Sequence, residues 1–241
     1  MIGCECPVCT SDDPRDQRLR CAVLLKIDGQ HLVIDIGPDF RQQMLRAKIN
    51  HLDAILITHE HNDHVIGLDD VRPFNFRSGK DMLVYARPDV RTDLKKRFPY
   101  IFRANPYPGA PSVKLKNIDV NKSFQIGATT IIPIEALHGQ LPVLGFRIGK
   151  FTYLTDIKTI SDAELKKIKG TELLVISALH QREHHAHLSL HQALELIEKI
   201  NPARAYLTHL SHQMGLHQTV EKQLPPNVLI AYDNLEIDFL S

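Results

Sequence analysis

The stretch Thr58-His59-Glu60-His61-Asn62-Asp63-His64 places three histidines and one aspartate within six residues, directly after the apolar run Asp53 to Thr58. That run is strand-like in length and content. A turn that leaves a strand end projects successive side chains in several directions, as needed to gather ligands around one point or two adjacent points. One exposed histidine on such a loop would simply be solvated. Four potential ligands at H-x-H-x-D-H spacing are hard to explain that way, so a metal-binding loop at a strand end is expected.

Histidine is abundant throughout: 14 residues against 12 glycines in a chain of 241. The length suits one domain, residues 1–241, rather than two small ones. With 29 Lys+Arg against 28 Asp+Glu the formal net charge is +1, which argues against recruitment of nucleic acid or an acidic membrane surface by bulk charge. Four cysteines, three of them within six residues, are too few and too uneven for a disulfide scaffold and read as reduced thiols. No stretch has the pattern of a secretion signal and no 18-residue apolar segment occurs, so a cytoplasmic protein is expected.

Short apolar runs alternate with amphipathic ones. Ala22 to Ile27 and His31 to Ile36 flank the turn dipeptide Asp28-Gly29. Further strands are predicted at Leu83 to Ala86, Thr130 to Glu135, Val143 to Ile148, Phe151 to Thr155, Glu172 to Ile176, Arg204 to Thr208 and Val228 to Ala231. Helices are predicted over Asp39 to Lys48, Pro88 to Arg97, Ser161 to Lys169 with a Ser161/Glu164 capping box, and Ser189 to Lys199. The Pro-rich segment from Asn105 to Pro111 reads as a surface loop. Hairpins mixed with strand–helix alternation predict an α/β (α+β) arrangement of sheets covered by helices.

The histidine motif resembles the signature of the metallo-β-lactamase fold hydrolases, a four-layer αββα sandwich. Later strand ends supply matching residues in the family's order: His138 after the run from Thr130, Asp156 at the end of Phe151-Thr152-Tyr153-Leu154-Thr155-Asp156, and His209 after Arg204-Ala205-Tyr206-Leu207-Thr208. The resemblance implies one divalent ion held by His59, His61 and His138, a second by Asp63, His64 and His209, and Asp156 between them. Imidazoles and carboxylates suit zinc, manganese or iron, and the ligand types do not choose among them. Asp35 matches a supporting aspartate of the family, but a strand-end turn residue before Gly37 explains it nearly as well, so it stays outside the ligand set.

Cys4-Glu5-Cys6-Pro7-Val8-Cys9 is a C-x-C-x-x-C triplet whose spacing chelates one tetrahedral ion well, given a fourth ligand; by itself it also reads as a redox or chance cluster. Together with Thr208-His209-Leu210-Ser211-His212-Gln213 it resembles the PhnP-type branch, the phosphoribosyl cyclic phosphodiesterases. This implies a structural zinc on Cys4, Cys6, Cys9 and His212, leaving Cys21 as a buried small hydrophobe. The branch also carries a general-acid histidine before a helix. In Glu183-His184-His185-Ala186-His187-Leu188-Ser189 it falls on His187, with His180, His184 and His185 near enough to compete.

The expected activity is hydrolysis of a small phosphate diester by a hydroxide bridging two metals, with Asp63 orienting the hydroxide and His187 protonating the leaving alkoxide. Arg72 is better explained by pairing with Asp69 or Asp70 than as a phosphate ligand. The alternatives are a thioesterase, a tRNA 3′-processing nuclease or a lactamase of the same fold, or a non-enzymatic metal-binding protein. The branch also implies a homodimer.

Overall fold

A computed structural model describes residues 1–239. Backbone packing divides them into two compact units, residues 20–130 and residues 1–19 with 131–239.

The 20–130 unit carries a five-stranded sheet in chain order: β1 (Val23–Ile27), β2 (Gln30–Ile34), β3 (Ala54–Leu56), β4 (Met82–Ala86) and β5 (Val113–Asn117). The β1–β2 hairpin is antiparallel and turns at Asp28-Gly29, both at positive φ; β2 to β5 are parallel. Parallel strands need crossover connections, supplied by α1 (Phe40–Arg46), α2 (Asn62–Val65), α3 (Arg72–Ser78), α4 (Pro88–Arg97) and α5 (Pro99–Phe102). Val33, Ile55 and Val84 lie side by side in register and are fully buried in one core with Phe40, Leu68, Val90 and Leu94 from the connecting segments. Each contributes roughly 1.5–3 kcal/mol by leaving water. Leu32, Ile34, Ala54 and Leu56, pointing the other way, are equally buried, which is why β3 and its flank read as an unbroken apolar run. β5 escapes sequence reading because Lys114 and Lys116 alternate with only two apolar residues. The Asn105 to Pro111 segment is the loop preceding it, and β6 (Phe124–Ile126) follows.

The other unit's sheet runs β10-β7-β8-β9-β11-β12-β13. These are β7 (Thr129–His138), β8 (Leu141–Ile148), β9 (Phe151–Leu154), β10 (Thr159–Ile160), β11 (Leu173–Ser177), β12 (Arg204–Thr208) and β13 (Val228–Ile230). β7, β8 and β9 form an antiparallel meander; β9, β11, β12 and β13 are parallel. Its helices are α6 (Asp162–Lys167), α7 (Leu190–Ile200) and α8 (His217–Glu221). Leu190, Ala193 and Ile197 of α7 are buried in a core with Leu174, Ile176, Ala205 and Leu207.

The capping box is not where sequence spacing put it. Ser161 accepts the Glu164 N–H, but the Glu164 carboxylate turns away to accept the Glu135 N–H (2.8 Å) and pair with Lys167 (2.8 Å). The reciprocal box forms at Ser189 and Gln192, heading α7. Among the described residues no helix is long and apolar enough to cross a membrane.

Candidate metal centres

His59, His61, Asp63 and His64 all fall in the loop and short helix α2 that follow β3, at the carboxyl ends of the parallel strands, where open α/β sheets place ligands. The loop is locked by backbone bonds: the Ile36 N–H donates to the His64 carbonyl and the Gly67 N–H to the Ile36 carbonyl, both at 2.8 Å. Gly37 is required here, since a Cβ would collide with the Asp63 carbonyl. The His59 ring lies 4.6 Å from that of His61 and 4.2 Å from that of His64, and His64 Nε2 is 3.7 Å from an Asp63 carboxylate oxygen.

Asp35 organises this cluster. Fully buried one residue beyond β2, with φ of 64°, it accepts hydrogen bonds from the Thr58 N–H (2.9 Å), the Thr58 hydroxyl (2.8 Å) and His64 Nδ1 (2.7 Å). The Thr58 oxygen in turn accepts from His59 Nδ1 at 2.9 Å. Both imidazoles thus carry their proton on Nδ1 and present the Nε2 lone pair, the tautomer that metal ligation requires. Asp35 therefore orients the ligand loop; its turn geometry and its supporting role coexist.

In the other unit, the candidates share one sheet edge. His138 ends β7, Asp156 lies two residues beyond β9, His187 sits in the segment after β11, and His209 follows β12 directly. Asp156 (φ 52°) and His209 (φ 55°) are left-handed, a conformation costing about 1–3 kcal/mol for a non-glycine residue and found where surrounding structure enforces it. Asp156 Oδ1 is 3.1 Å from both His187 Nδ1 and His209 Nε2. The His187 segment is pinned by the Leu188 N–H to the Ile157 carbonyl and the Leu179 N–H to the Leu188 carbonyl, each 3.0 Å. His138 Nδ1 donates to the Ala186 carbonyl (2.7 Å), again leaving Nε2 as the lone-pair atom, with its ring 4.3 Å from that of His187. Donor chemistry and tautomers in both clusters fit divalent ions.

Cys4, Cys6, Cys9 and His212 bring one donor atom each within 4.8 Å of one another. His212 Nδ1 is 3.4 Å from the sulfurs of both Cys4 and Cys6. That hydrogen bond, more than any other contact, pulls the Cys6 thiol down to about 6. Cys4 gains from a backbone bond at Cys6, yet its neighbour's sulfur holds it above the ordinary range. Three soft sulfurs and an imidazole at this spacing fit a closed tetrahedral zinc site with Zn–S of about 2.3 Å. Cys21 is half-buried rather than buried.

The remaining histidines divide by environment. His180 is buried, with Nδ1 donating to the Arg182 carbonyl (2.8 Å); His184, its basicity lowered by burial and then by His187, accepts the Ala186 N–H (3.2 Å). His185 is exposed. His191 pairs with Glu195 on the surface of α7, and His31 stacks on His51 at 4.0 Å. His217 is buried, its backbone N–H donating to Asp16 (2.8 Å) and its Nδ1 lying 3.4 Å from Arg18. No local sequence signal marks these long-range partners. Arg72 stands 3.9 Å from Asp69, the ion pair that the sequence suggested.

A family model for the beta-lactamase superfamily domain matches residues 30–210. The crystal structure of a diphosphatase from the PhnP family is 36% identical, with a TM-score of 0.93 over 99% of this chain and 91% of that one. A Porphyromonas gingivalis protein named octanoyltransferase is 43% identical over 237 residues, 98% of this chain but 48% of that protein, so the chain spans about half its length. Ribonuclease Z of Archaeoglobus fulgidus is 36% identical over 93 residues, 36% of this chain and 30% of that enzyme. The metallo-β-lactamase fold expected from the resemblance of the histidine motif is thereby established, and the chain belongs to the beta-lactamase superfamily and, within it, to the PhnP family.

Proposed function

We propose that this metal-dependent hydrolase cleaves a small phosphate diester, of the cyclic phosphoribosyl type that the sequence resemblance implies. The observation that carries the proposal is the Asp156 carboxylate held 3.1 Å from both His209, a candidate ligand, and His187, a candidate proton donor. The PhnP-family diphosphatase favours phosphorus chemistry over acyl chemistry.

The divalent ions of the family, when bound, supply Lewis acidity toward a phosphoryl oxygen and make water more acidic. Asp35 and Thr58 set the tautomers of His59 and His64 before any ligand arrives, so little reorganisation accompanies binding. His187 Nδ1 lies 3.1 Å from Asp156 Oδ1, and its imidazole is the group placed to deliver a proton to the departing alkoxide. Asp63 heads α2 with a charge suited to a helix N-terminus and serves as a ligand that also orients the attacking water. Cys4, Cys6, Cys9 and His212 tie residues 4–9 to the segment after β12 through a structural zinc and take no part in the reaction.

A second proposal, thioester hydrolysis, is the acyl alternative within the same fold; the P. gingivalis relative is named for octanoyl transfer. A nuclease role draws on matches to ribonuclease Z that are either partial or below 25% identity, and is opposed by the +1 charge. Purified metal-loaded protein assayed against bis(p-nitrophenyl) phosphate, cyclic nucleotides and an acyl thioester separates these. Turnover of the phosphate diesters is expected; activity confined to the thioester would overturn the proposal.

A further inference from the structure

Arg20 opens the 20–130 unit, three residues before β1, and its backbone is fixed at both ends. Its N–H donates to the Asp39 carboxylate (2.8 Å) and its carbonyl accepts from the Gln43 side chain (2.7 Å). Its Cβ passes beside Gly37, where absence of a side chain lets the Arg20 Cβ and the Asp63 carbonyl close on the same point. The guanidinium reaches the metal-binding loop: Nη1 lies 3.7 Å from Asp63 Oδ2, while the side chain is 60% exposed.

That distance is an ion pair but too long for a good N–H···O bond, so the planar fork keeps donors to spare beside the loop. Arg97, by contrast, is engaged: it donates to Asn62 Oδ1 (2.6 Å) and pairs with Asp93. Once a cation claims the Asp63 carboxylate, the exposed Arg20 guanidinium is available to an incoming anion beside the loop. A guanidinium fork matches two oxygens of a tetrahedral phosphate.

Building on the phosphate-diester activity proposed above, we infer that Arg20 grips the non-bridging phosphate oxygens of the substrate and selects phosphate esters over uncharged esters. The contact is present in the ground state as well as later, so Arg20 acts mainly on binding.

The test compares wild type, R20A and R20K, all metal-loaded, by metal analysis, by calorimetric titration with inorganic phosphate, and by kcat and KM on bis(p-nitrophenyl) phosphate. Expected are equal metal contents, phosphate affinity about 10- to 100-fold weaker in R20A, and an intermediate value in R20K, which keeps the charge but loses the fork. Diester KM should rise more than kcat falls. Equal phosphate affinity in R20A and wild type would overturn the inference, as would a wild type that does not bind phosphate. Loss of metal in R20A would also overturn it, by making Arg20 a support for Asp63. A wild type that binds phosphate through Arg20 but does not turn over the diester would refute the proposed activity and leave the anion grip standing.

Discussion

Replacing Asp35 with asparagine keeps volume and the left-handed backbone, which asparagine tolerates, but puts an NH2 where one carboxylate oxygen was. Asp35 accepts three hydrogen bonds of 2.7–2.9 Å from a fully buried position, each worth about 1.5–3 kcal/mol because the acceptor is ionised. In D35A the Thr58 N–H and His64 Nδ1–H lose their acceptor together, and about 3–5 kcal/mol of stability should go; the Thr58 hydroxyl can turn elsewhere, so the full sum is not expected. D35N should cost less in stability and more in function. With Oδ1 still accepting from the Thr58 N–H, the new amide donates toward His64, whose Nδ1 must then accept. The ring proton moves to Nε2, removing the lone pair that His64 offers a metal. Affinity for one ion should fall about 10- to 100-fold. Competition against a graded chelator, with ions counted per chain, measures this directly, and the Cys4/Cys6/Cys9/His212 site serves as an internal reference. A folded D35N that holds its full complement of ions at wild-type affinity would refute the tautomer assignment.

H187A should lower diester turnover by about 100-fold or more while metal content stays at the wild-type level; unchanged kcat would remove His187 from proton transfer. C6S should lose one tightly held ion, and its melting temperature should fall below that of wild type loaded with the same ions, measured by calorimetry. Burial lowers the proton affinity of His217, Glu221 only partly opposing it. With the folded-state pKa below the unfolded value of about 6.5, stability is fully present above that pH and is lost as pH falls below it, by at most about 1.4 kcal/mol per pH unit. Urea unfolding between pH 7.5 and 5 should show this slope, flattened in H217Q; an unchanged slope in the variant would place the acid sensitivity elsewhere.

Much was legible in the amino-acid order because it depends on local spacing. The H-x-H-x-D-H stretch after an apolar run was visible as residue type plus position, while Asp156 after β9 and His209 after β12 were candidates that the family resemblance implied; all lie at strand ends. The cysteine triplet was by itself open to a redox or chance reading; its pairing with His212 came from the resemblance, and folding brings the four donor atoms within 4.8 Å of one another. What tertiary structure decided are partnerships between distant segments. Asp35 was ambiguous in sequence because strand-end turn and ligand support ask for the same residue; its acceptance of a bond from His64, 29 residues away, settles which protons the ligands carry. Glu164 abandoned its expected cap because β7 offered it the Glu135 N–H. Arg20 carries no motif, and its place beside Asp63 arises from Gly37 and two backbone hydrogen bonds to residues around α1. A pattern along the chain names the donors that chemistry needs, whereas direction, tautomer and charge balance at the site depend on neighbours that only folding brings near.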